Sequence, residues 1–126
     1  MFEPFWDWDE DREWRAKDVA KLLSAIHADF RNGNFSIDLV DKIKSRRIAK
    51  HDIWNVLHDP ETFIGRYCYQ SGNRVGLWNP HSKIFVAWKP RQLNSPSRIM
   101  TVFREGNGVD YMRGFPSFRE IQGPKR

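Results

Sequence analysis

Apolar residues recur along this chain with two different periods, and the change of period divides it. From about Asp11 to Phe30, Val19, Leu22, Leu23, Ile26 and Phe30 fall at i, i+3, i+4, i+7 and i+11, the one-sided spacing of an amphipathic helix. Asn32-Gly33-Asn34 follows, and Gly33 can take the left-handed conformation that closes a helix. A second helix is predicted from an N-cap at Ser36 to about Arg47, with Leu39, Val40 and Ile43 inward. Its outer face carries Lys42, Lys44, Arg46 and Arg47. A third, from about Lys50 to His58, turns Ile53, Val56 and Leu57 to the core. Asp59-Pro60 stops it, because proline disfavours helical geometry in the residue before it.

Beyond Pro60 the period falls to two. Short β-branched and aromatic runs alternate with turn residues, which predicts strands near 64–70, 73–78, 83–89 and 97–104 and a fifth near 109–113. Ser71-Gly72-Asn73 and Asn79-Pro80-His81-Ser82 read as tight turns, and Pro90 to Pro96 as a longer exposed loop. The fold class is α+β, with N-terminal helices packed on one face of a four- to five-stranded antiparallel sheet. A length of 126 residues suits one domain. Within it, residues 1–13 read as an aromatic, acidic docking segment, 14–60 as helical, 61–114 as sheet and 118–126 as a frayed basic tail.

Charge sharpens this picture. Of 21 bases and 16 acids, one base and six acids lie in residues 1–13, leaving the rest with 20 bases, 10 acids and a net charge of +10. Between Glu61 and Glu105 there is no carboxylate, while Arg66, Arg74, Lys83, Lys89, Arg91, Arg98 and Arg104 all fall inside. A sheet that is cationic and aromatic without compensating acid suits a surface that grips a polyanion. The competing explanation is a solvated sheet face with chance bias. A single cysteine, Cys68, excludes an internal disulfide framework and reads as a buried strand thiol. No apolar run reaches the roughly 18–20 residues that span a bilayer, and the opening MFEPFWDWDEDRE lacks the pattern of a signal peptide. The chain is expected to be soluble, with no membrane partner.

The inventory of chemistry is defined first by what it lacks: GxxxxGK[ST], GxGxxG and HExxH are all missing. His51 and His58 lie seven apart without a third ligand at regular spacing, so no metal and no other cofactor is expected. Arg, Lys, His, Tyr, Ser and Thr remain, and these suffice to cleave RNA. A base takes the 2′-hydroxyl proton, that oxygen attacks its own phosphate, an acid protonates the leaving oxygen, and cations offset the charge that builds.

The segments SRRIAKHDIWNVLHDP, GNRVGLWNPHSKIFVAWKP and IMTVFREG, read together over residues 36–114, resemble the barnase–EndoU–colicin D–RelE superfamily of small RNase toxins. The resemblance implies a metal-independent ribonuclease cleaving cellular RNA, tRNA foremost, to 2′,3′-cyclic phosphate ends. It further implies secretion within a larger toxin, as in contact-dependent growth inhibition, action in the target-cell cytoplasm, and an acidic cognate immunity protein. Thr101 and Arg104 match the family's final-strand hydroxyl and cation. Thr101 also shares its period-2 phase with Ile99 and Phe103, which reads as core. Arg74 is a candidate phosphate ligand, and Lys42 and Arg46, one helical turn apart, are candidates to reach the sheet rim. His51 is the first choice for proton transfer, because histidine titrates near neutrality. Tyr111 is a candidate base-stacking or proton-donating group, and Lys83, Lys89 and His81 are candidate RNA contacts. Two other readings compete: a non-catalytic nucleic-acid-binding module stacking bases on Tyr67, Tyr69 and Trp88, or an interaction domain for an acidic protein.

Overall fold

A computed structural model describes residues 14–70, 72–92 and 95–123. The expected docking segment, residues 1–13, lies outside them. Three helices come first: α1 Ala16–Arg31, α2 Leu39–Ser45 and α3 Lys50–His58. Strands β1 Phe63–Tyr69, β2 Gly72–Asn79, β3 Ile84–Lys89 and β4 Arg98–Arg104 follow, then α4 Gly108–Arg113 and β5 Arg119–Gln122. The sheet is antiparallel with order β4-β3-β2-β1-β5. The expected α+β class and its helix-covered antiparallel sheet are observed.

Local chemistry explains the helix ends. The Asp18 and Asp52 carboxylates accept from the backbone N–H groups of Arg15 and Ala49 at 3.1 and 2.9 Å, tying down the starts of α1 and α3. Gly33 closes α1 at φ 71°, as expected. The N-cap of α2 is Asp38, not Ser36, because Ser36 donates its hydroxyl to Met100 O at 2.7 Å instead. The helix therefore begins two residues later, and Val40 faces outward, 47% exposed.

The sheet has two apolar faces. Ile64, Val75, Leu77, Val86, Trp88, Ile99 and Val102 meet Leu22, Ile26, Leu39, Ile43, Ile53 and Val56 from α1–α3. Each fully buried Leu, Ile or Val there contributes about 1.5–3 kcal/mol. On the other face Phe63, Tyr67, Trp78, Phe85 and Ala87 pack with Met112, Tyr111, Phe115 and Phe118. This second layer was not expected. Residues 109–113, predicted as a strand, form part of α4: Asn107 caps it by accepting from Asp110 N at 3.1 Å, and Met112 is buried. The contact is close, since a Cβ on Gly108 would lie 2.2 Å from Trp78 Cγ. The tail predicted to fray from Phe118 instead forms β5 through Gln122, paired with β1.

Candidate functional site

α4 covers only part of the second face, and the uncovered part forms a cleft of about 390 Å³. Ala87 on β3 lines it, with Tyr67 and Tyr69 of β1 and Arg74 of β2. Met100, Thr101 and Phe103 of β4, Tyr111 of α4, and Ser36, Asp38, Lys42 and Arg46 complete the wall.

A β-bulge sets this geometry. Ala87 pairs with Thr101 and Trp88 with Ile99, leaving Met100 as the extra residue of β4. The freed Met100 carbonyl is the one that accepts from Ser36. The extra residue also shifts the strand's phase, so Ile99 and Val102 both enter the helix-facing core, each 0% exposed. Thr101 turns to the cleft, which decides its face against the core reading.

Arg46, at the C-terminal end of α2, is held from three sides. Its Nη1 donates to Val102 O at 2.8 Å and Thr101 Oγ1 at 3.3 Å, and its Cζ lies 6.0 Å from the Phe103 ring centroid. The remaining guanidinium donors, on Nε and Nη2, have no partner among the described residues. Arg104 donates to Arg46 O at 2.6 Å and Arg47 O at 3.1 Å. It therefore fixes the end of α2 and does not line the cleft. Arg74 lies with its Cζ 5.8 Å from the Tyr69 ring and gives Nη1 to Asn73 O at 2.9 Å. Lys42 pairs with Asp38 at 3.0 Å, which holds that exposed carboxyl below its usual range.

Tyr67 is 4% exposed, yet its hydroxyl has no hydrogen bond among the described residues. Burial, with a smaller contribution from Tyr111, pushes its pKa well above the usual value, so it stays protonated. Burial raises Tyr111 as well. Around them the rings of Phe115, Phe85 and Phe103 stand 5.0–5.3 Å from Tyr67 or Tyr111, centroid to centroid.

The cleft thus brings together Lys42, Arg46, Arg74, Thr101 and Tyr111 from the sequence candidates. Others lie elsewhere. His51 is exposed on α3, and His81 in the β2–β3 turn faces Glu61 at 3.1 Å. Lys83 lies over the Trp78 ring at 5.1 Å, and Lys89 reaches Ser95 Oγ at 2.8 Å. Trp88 is no stacking platform, because it is 1% exposed and donates Nε1–H to buried Asp29 at 2.7 Å. Cys68 is half-buried and donates weakly to Asn73 Oδ1 at 3.5 Å. Ser36, Asp38 and Phe103 were not among the sequence candidates, and Tyr67 and Tyr69 were named there only as stacking platforms. The cross-strand pair Tyr67–Arg74 was a usable signal for Tyr67.

A second hollow of about 350 Å³, between α1, the end of α3 and the sheet, is lined by His27 and His58 but by no lysine or arginine among the described residues. Among the described residues, no group of three or more His, Cys, Asp or Glu is placed to hold a metal, and no helix is long and apolar enough to cross a membrane. No protein-family model, curated protein or solved structure matches the chain.

Proposed function

We propose that this chain is a metal-independent endoribonuclease domain of the toxin type, with the cleft as its active site. The observation that carries the reading is Arg46, anchored by Thr101 and Val102 with donors to spare, in one cleft with the protonated hydroxyl of Tyr67, which makes no hydrogen bond among the described residues. In the proposed reaction the 2′-oxygen attacks phosphorus, the bond to the 5′-oxygen breaks, and a 2′,3′-cyclic phosphate is left. Arg46, Arg74 and Lys42 offset the charge on the phosphorane. Asp38, the one carboxylate lining the cleft among the described residues, takes the 2′-hydroxyl proton. Tyr67 donates to the departing oxygen. His51, the residue first chosen for proton transfer, has no part in this scheme, because it does not line the cleft.

The substrate is cellular RNA, with tRNA foremost on the resemblance, and the toxin setting implies export within a larger protein and an acidic inhibitor. A second reading has an observation of its own: no histidine lines the cleft among the described residues, and exposed Tyr69 beside Arg74 suits a non-catalytic module that stacks bases. Denaturing gels of total tRNA incubated with the protein in excess EDTA separate the two. Cleavage should persist and leave cyclic phosphate ends, and an RNA with a 2′-deoxy sugar at the cut site should resist. Intact RNA throughout leaves the binding module. Normal cutting of the deoxy substrate excludes 2′-hydroxyl attack.

A further inference from the structure

Beside the cleft lies a second group of cations that the reaction above does not use. Lys89 and Arg98 stand directly opposite each other on β3 and β4, and like charges so placed destabilise a sheet. Neither they nor Arg74 makes an ion pair among the described residues. Both reach one oxygen: Lys89 Nζ donates to Ser95 Oγ at 2.8 Å and Arg98 Nη2 at 3.0 Å. Ser95 is itself placed by a two-way backbone bridge to Gln92, at 2.9 and 3.2 Å. With both lone pairs of its hydroxyl engaged, Ser95 has only its O–H left, and that group can only donate. Arg98 Nε is buried with no hydrogen-bond partner among the described residues, a position that costs free energy until an acceptor arrives.

We propose that Lys89, Arg98 and Ser95 form a phosphate subsite for the nucleotide next to the one cleaved. The ligand chemistry is a phosphodiester or phosphate oxygen, recognised by two cations and a hydroxyl donor. Lys89 follows Ala87 on the same face of β3, about 7 Å along the strand, so the subsite continues the cleft floor. The electrostatics agree, since burial and then the charges of Arg98 and Arg74 hold the Lys89 amine below its ordinary pKa. This inference deepens the ribonuclease reading and rests on it for the identity of the ligand.

The test has two arms. In the first, the Lys89 side-chain amine is followed by NMR while inorganic phosphate is added. Its pKa should rise on binding, and Arg98→Gln should abolish the rise. A Lys89 amine indifferent to phosphate overturns the subsite. In the second arm, a single-stranded oligonucleotide that is 2′-deoxy throughout is bound at several salt concentrations. Lys89→Gln should reduce the slope of log affinity against log salt by about 0.7, the value for one phosphate on a single strand. An unchanged slope overturns the assignment to a nucleic-acid phosphate. Phosphate binding at Lys89 with uncut RNA leaves the subsite standing and removes the ribonuclease reading, while cut RNA with an indifferent Lys89 does the reverse.

Discussion

Tyr67 is the residue at which stability and chemistry can be separated. Its ring packs against Phe115 and Phe85, while its hydroxyl satisfies nothing in the described chain. Tyr67→Phe keeps the ring and removes only that hydroxyl. The folded state should lose nothing, and its denaturant midpoint should hold, because the hydroxyl makes no hydrogen bond among the described residues that its loss would break. Cleavage should fall by about 10²–10³, the usual consequence of losing one preorganised donor to a transition state. A variant that is less stable and still fully active would remove Tyr67 from the mechanism. Legibility at this scale depended on how a residue's neighbours are chosen. Arg74 and Lys42 were readable as candidates because charge marks them wherever they lie. Trp88 misled, because its aromatic surface suggested a platform while its indole is committed to Asp29, a residue 59 positions earlier that no local pattern connects to it.

The end of α2 shows what an element contributes beyond its residues. Its last carbonyls are closed by Arg47 N–H to Lys44 O at 3.1 Å and Ile48 N–H to Ile43 O at 2.9 Å, with Arg47 at φ 56°. Glycine normally takes that position, and a residue with a Cβ is strained there by about 1–2 kcal/mol. Arg47→Gly keeps the carbonyl that Arg104 binds. It should raise stability in urea by about 0.5–1 kcal/mol, after allowing for the greater freedom of glycine in the unfolded chain. Destabilisation would mean that the exposed Arg47 side chain stabilises more than its backbone costs. The contact of α1 with α3 predicts a pH response. His27 Nε2 donates to Leu57 O at 2.8 Å, and burial, the nearby His58 ring and Arg31 hold its pKa below 6.5. Above 6.5 the ring is neutral in both states, and its contribution is fully present. As pH falls below 6.5 the unfolded chain binds the proton first, so stability declines. The lowered carboxyls of Asp38 and Asp59 act in the same direction only below their ordinary 3.8. Urea midpoints measured from about pH 7.5 to about pH 5 should drop for the natural chain and drop less for His27→Gln. Equal slopes would place the acid sensitivity elsewhere. Helices α1 and α3 and four strands were legible because each repeats its period over several turns or residues. α4 was not, because Val109 and Tyr111 alternate as a strand would, and only the Asn107 cap and the fit of Gly108 against Trp78 decide for helix. The bulge at Met100 was also hidden, since it depends on Ser36 hydrogen-bonding across 64 positions.

At the scale of the whole molecule, charge is segregated along the sequence: residues 1–13 hold six of the 16 acids, and the stretch between Glu61 and Glu105 holds none. The fold adds Lys42 and Arg46 of the helical region to the cations of that acid-free sheet. Composition marked the sheet region as cationic, but only the meeting of α2 with the bulged edge of β4 brings Lys42 and Arg46 into one cleft with it. If the chain is a toxin domain, as proposed, it has to be kept silent in the cell that makes it, and a surface of this sign would favour an acidic protein laid over the cleft. Complementary charge acts mainly on encounter, raising association from about 10⁵–10⁶ towards 10⁸–10⁹ M⁻¹s⁻¹ at low salt, while close contacts govern release. The inhibitor would be recovered as the protein that restores growth to cells expressing the chain. Arg74→Glu should then slow its association at least about tenfold at low ionic strength, with a smaller effect on dissociation. Near 1 M salt, where the screening length falls to about 3 Å, the difference between natural chain and variant should largely vanish. Stopped-flow association across that range measures it directly. An on-rate indifferent to Arg74→Glu at low salt would mean that the inhibitor binds away from the cleft and silences the protein by another route.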